Sequence, residues 1–211
     1  MRPRRLFIAG STGATGRVVT DDARTRGIPA IPHARPKSQT KAPGSAVFEL
    51  ADTAALVSAL KECTTVLQLI GTMRARFAAG DTYETSDIGT TRQLVEAAKL
   101  AGIDHLLLLS SAGAGKPRGD YLRTKAEAER LCTASGVPTT VFRPSFLDGP
   151  GRKTPLWAKI LVAPLGPVWK VMPLADLSRA MLRVAVDRSH LGEVLEGRPM
   201  WDVVAASKRT G

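Results

Sequence analysis

Three side chains in this sequence have the types and spacing for proton-coupled carbonyl chemistry: Ser111, Tyr121 and Lys125. Tyr121 and Lys125 are four residues apart, so on a helix they share one face. A phenol, with an unperturbed pKa of about 10, is a poor acid–base group at neutral pH. A nearby ammonium favours its ionised form. Lys125 would tune Tyr121, Tyr121 would pass a proton to a carbonyl oxygen, and Ser111 would hold that oxygen. Alone, a Tyr and a Lys at this spacing equally describe a half-buried aromatic beside a solvated charge. The chemistry also needs a source of hydride bound in the same fold.

The stretch Leu6–Arg17, LFIAGSTGATGR, supplies a place for one. An apolar run, Leu6–Ala9, leads into Gly10, Gly13 and Gly16 at three-residue spacing. The pattern is strand, tight turn and helix start, which is how a chain builds a dinucleotide-phosphate cradle. Gly10 allows the sharp turn. Gly13 keeps a side chain away from the pyrophosphate, and Gly16 lets the helix pack close to the sheet. Ser11, Thr12, Ala14 and Thr15 complete the cradle. The helix start aims its unsatisfied N–H groups and positive dipole end at the phosphates.

The second strand is expected in Ile28–Ala34, kept short by Pro29 and Pro32, because proline cannot donate to a ladder. Its end decides the dinucleotide: an acid there accepts from the 2′-hydroxyl of NAD, and an Arg pairs with the 2′-phosphate of NADP. No acidic residue lies between Asp22 and Glu49, whereas Arg24, Arg26, Arg35, Lys37 and Lys41 do. Arg35 stands at the expected strand end, so NADP(H) is preferred over NAD(H). Lys37 and Lys41 read as surface charges.

The remaining elements follow the same alternation. Ala46–Leu50 is a third strand. Asp52 opens a helix with Leu56, Ala59, Leu60 and Cys63 at helical spacing; it either caps that helix or lies near the adenine. Val66–Ile70 is a fourth strand, and Gly71 follows at the carboxyl edge where ligands bind in such sheets. The loop Met73–Asp81 is a candidate lid. Tyr83–Ala101 reads as a helix closed by Gly102. Leu106–Leu109 is a fifth strand ending in Ser110 and Ser111. A helix runs from Tyr121 to about Ser135, and Thr139–Arg143 is a sixth strand followed by Pro144. Beyond Gly151 the pattern loosens: a helix at Leu156–Val162, a helix at Asp176–Asp187, a last strand at Leu191–Leu195, and a frayed tail at Ala205–Gly211. This alternation predicts an α/β fold, a doubly wound parallel sheet of Rossmann type. It forms a single domain, with its core at about 4–150 and a short C-terminal substrate flap at about 151–205.

Composition narrows the alternatives. The chain has 211 residues, 44% of them hydrophobic, which suits one globular domain. No apolar run reaches the roughly 18 residues of a membrane span. Cys63 and Cys132 lack metal-ligand partners at useful spacing, so no metal is expected and both read as reduced thiols of a cytoplasmic protein. The net charge is +11. The basic residues are spread along the chain without the interleaved aromatics of single-strand binders, so the charge is read as solvated surface with local anion sites rather than a nucleic-acid face. His33, His105 and His190 share no spacing and read as structural or exposed.

Taken together, GSTGATG, Arg35, Asp52, the SSAGAG loop, YLRTK and VFRPSFLDGP resemble the short-chain dehydrogenase/reductase superfamily, most closely its small atypical NmrA-like and Tat-interacting-protein-like branch. The resemblance covers most of Leu6–Gly151. It implies pyrophosphate binding by Gly10, Gly13 and Gly16, 2′-phosphate binding by Arg35, and catalysis by Ser111, Tyr121 and Lys125. It also implies that the segment with Arg143 and Pro144 borders the cofactor and substrate. The Ser111–Tyr121 gap of ten residues is short for the superfamily, and Ser110 is the alternative hydroxyl. The expected activity is NADP(H)-dependent reduction of a small carbonyl or quinone substrate, walled by Trp157 and Trp169, in a monomer or homodimer. The alternative is a non-catalytic redox-sensing regulator, since some members of the branch bind cofactor without turnover.

Overall fold

The run Leu6-Phe7-Ile8-Ala9 is buried along its whole length. Successive side chains of a strand point to opposite faces. Leu6 and Ile8 accordingly join one apolar core, and Phe7 and Ala9 another. A sheet with a core on each face needs helices on both sides, and the rest of the chain supplies them. The computed structural model describes residues 4–41, 43–71, 82–155, 164 and 166–209.

In chain order the elements are β1 (Leu6–Ala9), α1 (Ala14–Thr25), β2 (Ala30–Ala34), a 3-10 turn (Pro36–Lys41), β3 (Ala46–Val47), α2 (Thr53–Lys61) and β4 (Thr65–Gln68). Then come a wide π-type turn (Tyr83–Gly89), α3 (Thr90–Ala101), β5 (His105–Leu109), α4 (Gly119–Thr133) and β6 (Thr139–Arg143). The chain closes with β7 (Leu147–Asp148), β8 (Met172–Pro173), α5 (Leu174–Asp187), β9 (Val194–Glu196) and α6 (Arg198–Lys208). Seven strands form one sheet in the order β3-β2-β1-β4-β5-β6-β9, with every pairing parallel. The chain reverses its direction of travel between β1 and β4. Such a switch point opens a crevice at the carboxyl ends of the strands. One face is covered by α1, α5 and α6, the other by α2, α3 and α4.

Pro32 sits inside the sheet, between β1 and β3. The Leu6 N–H donates to Pro29 O at 2.9 Å, so alternate residues of β2 turn their backbone groups toward β1 and the others toward β3. The N–H that Pro32 lacks would point toward β3, where pairing starts only at His33–Ala46. The proline therefore costs no rung of the ladder.

Three expectations change. The tail is not frayed from Ala205: α6 runs to Lys208, with Met200, Val203, Val204 and Ser207 buried at helical spacing. The last strand lies at Val194–Glu196 rather than Leu191–Leu195. The C-terminal flap narrows, because Leu174–Lys208 forms α5, β9 and α6, whose apolar residues belong to the core under β1 and β5. The strands β7 and β8 pair in parallel as a separate two-stranded sheet. The candidate lid at Met73–Asp81 and the candidate helix at Leu156–Val162 with Trp157 lie outside the described residues. Cys63 and Cys132 are buried free thiols, and burial pushes each up to about 12. Among the described residues no helix is long and apolar enough to cross a membrane, and no cluster of His, Cys, Asp or Glu could hold a metal ion.

Candidate functional site

The glycine loop is built from backbone contact. Gly10 turns off β1 with φ +87°, where a side chain is strained, and a Cβ there would lie 2.9 Å from Ile70 N. A Cβ on Gly16 would lie 2.0 Å from Gly10 O, so α1 rests directly on the loop. Gly13 is different. It is the extended N-cap of α1, and a Cβ there meets nothing nearer than Gly10 O at 3.4 Å. Its open side is where a ligand can approach the backbone. The first turn of α1 carries no acidic side chain, so its orphan N–H groups present an unopposed positive end. The residues fit a dinucleotide phosphate.

Gly13–Gly16 form one wall of a cleft of about 990 Å³. The loops after β4, β5 and β6 contribute Gly71, Ser110–Ala112 and Pro144–Leu147, and α4 contributes Tyr121 and Lys125. This is the switch-point crevice. Of the expected site residues, the cleft gathers Gly13, Ala14, Thr15, Gly16, Gly71, Ser111, Tyr121, Lys125 and Pro144. Gly10, Ser11, Thr12, Arg35 and Asp52 are not in its lining.

Lys125 has a partner that sequence reasoning missed. Its ammonium lies 3.0 Å from Asp87 Oδ1, with side chains 6% and 2% exposed respectively. Asp87 comes from the π-type turn before α3, and its carbonyl accepts from Thr91 Oγ1 at 2.6 Å. The pair is 38 residues apart in sequence, so no local spacing joins them. The Lys125 ammonium is also 5.9 Å from the centroid of the Tyr121 ring. Gly71 makes room for it, since a Cβ there would lie 3.0 Å from Lys125 Nζ. Tyr121 and Lys125 thus line the same cleft as the glycine cradle, with Lys125 held by the buried Asp87.

The two serines separate. Ser110 is buried and its hydroxyl donates to Glu129. Ser111 is half-buried, with its hydroxyl only at the limit of bonding to Ala112 O, 3.5 Å away. Ser111 is the hydroxyl available to the cleft.

Arg143, expected beside the cofactor, is outside the lining of the cleft and is held by two carboxylates. Its Nε and Nη2 reach the two oxygens of Glu129 at 2.9 and 2.5 Å, and its Nη1 reaches Glu196 at 3.2 Å. The Glu129 hydrogen bonds, outweighing the cost of burial, hold the guanidinium above its usual pKa. A fork held by two carboxylates faces them rather than a phosphate. Arg143 instead braces the Ser111 loop. The Gly113 N–H donates to Glu196 Oε1 at 3.1 Å, and a Cβ on Gly115 would lie 2.7 Å from Arg143 Nη1.

Other side chains find local uses. Ser11 Oγ donates to His33 O at 2.7 Å, tying the glycine loop to β2. Asp52 is the N-cap of α2, its Oδ1 accepting from Ala55 N at 3.0 Å. The capping alternative for Asp52 is therefore the one observed. Arg35 is half-buried at the carboxyl end of β2. His33 and His105 are buried, and burial lowers the pKa of both, His105 to about 4. His190 pairs with Glu193 at 2.9 Å. Trp169 lines the cleft, as do three cations not foreseen from sequence: Arg118, Arg152 and Lys153.

Comparison with known proteins bears on the family and the fold. "Protein FMP52-1, mitochondrial" of Scheffersomyces stipitis is 31% identical over 91 residues, 42% of this chain and 40% of that protein. The match thus spans well under two thirds of that relative. "Protein FMP52, mitochondrial" of Debaryomyces hansenii is 29% identical over 158 residues, 70% of this chain and 69% of that protein. Among solved structures, MoeE5 in complex with UDP-glucose and NAD superposes with a TM-score of 0.69 at 20% identity, covering 98% of this chain and 81% of that one. That likeness is one of fold. The family model described as NAD(P)H-binding matches residues 10–185, from the glycine loop through most of α5, and the chain belongs to that NAD(P)H-binding family.

Proposed function

We propose that this protein is an NADP(H)-dependent reductase of a small carbonyl or quinone substrate. One observation carries the reading: Ser111, Tyr121 and Lys125 line the same cleft as the Gly13–Gly16 cradle. NADPH held there would supply a hydride. Tyr121 delivers its phenolic proton to the substrate oxygen, and Ser111 donates a hydrogen bond to the same oxygen. Lys125 keeps two N–H donors beyond its bond to Asp87, which suits it to hold the cofactor's ribose hydroxyls. Arg35, following β2, pairs with the 2′-phosphate.

The test is NADPH consumption on a panel of aldehydes and quinones with wild-type protein and Tyr121→Phe. Loss of general-acid catalysis lowers kcat by about 10²–10⁴-fold with NADPH affinity retained. Unchanged turnover in Tyr121→Phe refutes the mechanism. The Asp87–Lys125 pair favours a second reading, because the ammonium's charge is shared with a buried carboxylate. In that reading the protein is a redox sensor, with unequal affinities for NADPH and NADP⁺ and a protein partner recovered in one redox state alone. Equal partner recovery in both states removes it.

A further inference from the structure

We infer that Arg152 and Lys153 clamp the cofactor's pyrophosphate from a turn that packs on the start of α1, beside the glycine cradle. The inference rests on the cleft being the NADP(H) site, and it adds to that site a cationic wall that the glycine motif does not contain.

The turn that carries these residues is built rather than loose. The Gly149 N–H donates to Arg152 O at 2.8 Å and the Arg152 N–H to Gly149 O at 3.0 Å. Thr154 closes the turn: its N–H donates to Asp148 Oδ1 at 2.9 Å and its hydroxyl to Leu147 O at 3.1 Å. The turn rests on the start of α1. A Cβ on Gly151 would lie 3.5 Å from the Cβ of Ala14, the first residue of that helix, and 3.4 Å from Arg17 Nη2. Gly151, Arg152 and Lys153 line one cleft with Gly13–Gly16, so the two basic side chains border the space above the helix N-terminus.

Charge supplies the reason. The cradle offers neutral N–H groups and a helix end worth about half a positive charge. A pyrophosphate brings two negative charges. Among the described residues neither Arg152 nor Lys153 forms an ion pair with a carboxylate, and both are exposed. A guanidinium presents the planar fork that phosphate oxygens accept, and an ammonium adds a point charge. The alternative use of the same cations is to bind an anionic group on the substrate. The contact of Gly151 with Ala14 favours the cofactor, because it sets the turn at the phosphate end of the cleft rather than beside Tyr121.

The test compares the wild-type chain with Arg152→Gln/Lys153→Gln. NADPH affinity is read by fluorescence, together with displacement of NADPH by inorganic pyrophosphate and by adenosine 2′-monophosphate. Each lost charge-assisted phosphate contact weakens binding about tenfold. The clamp predicts at least a tenfold rise in the NADPH Kd, a weaker dependence of that Kd on salt and loss of competition by pyrophosphate. Competition by adenosine 2′-monophosphate stays unchanged, and so does the thermal midpoint, since both residues are exposed. An unchanged NADPH Kd together with unchanged pyrophosphate competition overturns the clamp. Gly13→Val, at a position where a Cβ meets nothing nearer than 3.4 Å, separates the two levels of the argument. If it abolishes NADPH binding with an unchanged thermal midpoint while the double variant binds like wild type, the clamp fails and the cradle stands. If the wild-type chain binds no NADPH, both fail.

Discussion

Replacing Asp87 with alanine should damage this protein more than any surface charge change. The substitution leaves the Lys125 ammonium, whose side chain is 6% exposed, without the carboxylate now 3.0 Å away. Desolvating an ion is expensive unless a partner compensates. Removing one member of a buried pair costs about 3–5 kcal/mol. For a chain of this size each kcal/mol lowers the thermal midpoint by roughly 2–4 °C, so the midpoint falls by roughly 10 °C. Lys125→Met strands the opposite charge and costs a similar amount. The double variant Asp87→Leu/Lys125→Met removes both ions of the pair together. It should recover most of the loss, because apolar replacements of buried pairs are often neutral. The assay is urea and thermal unfolding of the four proteins as a double-mutant cycle. If Asp87→Ala lies within about 1 kcal/mol of wild type, or the double variant is as unstable as the sum of the singles, the buried pair is not what holds Lys125 in the cleft.

Two further outcomes follow from buried groups elsewhere. Thr140 Oγ donates to His190 O at 2.6 Å, so it accepts from His105 Nε2 at 2.8 Å, which leaves His105 Nδ1 without a partner among the described residues. The His105 pKa falls from 6.5 to about 4. Between those values the unfolded chain binds a proton that the folded one refuses, so stability rises with pH across the window, by about 3 kcal/mol in all. His33, also lowered by burial, adds in the same direction. Urea unfolding from pH 4 to 7 should show the slope and His105→Gln should flatten it; an equal slope in the variant refutes the assignment. Gly16→Ala places a Cβ 2.0 Å from Gly10 O, against backbone that cannot swing aside. It should cost at least about 1–3 kcal/mol and most of the NADPH affinity, whereas Gly13→Ala, with nothing nearer than 3.4 Å, should weaken NADPH binding without lowering stability. Equal stability of the two variants refutes the close packing of α1 on the loop.

What was legible in the sequence is what local pattern encodes. The buried run Leu6–Ala9, the glycines that follow and the spacing of Tyr121 and Lys125 each lie within about one helical turn or strand. They led to a doubly wound sheet and to one edge of it. What was not legible depends on distant pairs. Nothing near Asp87 marks it as the partner of Lys125. Arg143 reads as a ligand residue in the sequence because Glu129 and Glu196, which hold it, lie 14 residues before it and 53 after it in the chain. Two-residue strands such as β7 and β8 are too short to show a period. The helix α6 is another matter: Met200, Val203, Val204 and Ser207 follow the i, i+3, i+4, i+7 rule. The polar and charged residues at its end, Ser207 to Thr210, hide that signal.

The central claim is that the cleft beside the glycine loop binds a phosphorylated nicotinamide dinucleotide. The most direct test is a fluorescence titration of the wild-type protein with NADPH and with NADH in one buffer. Saturable NADPH binding at least tenfold tighter than NADH, reduced to the NADH level by Arg35→Gln, is the result the account predicts. Equal affinities would contradict the role given to Arg35, and no binding of either would contradict the account as a whole.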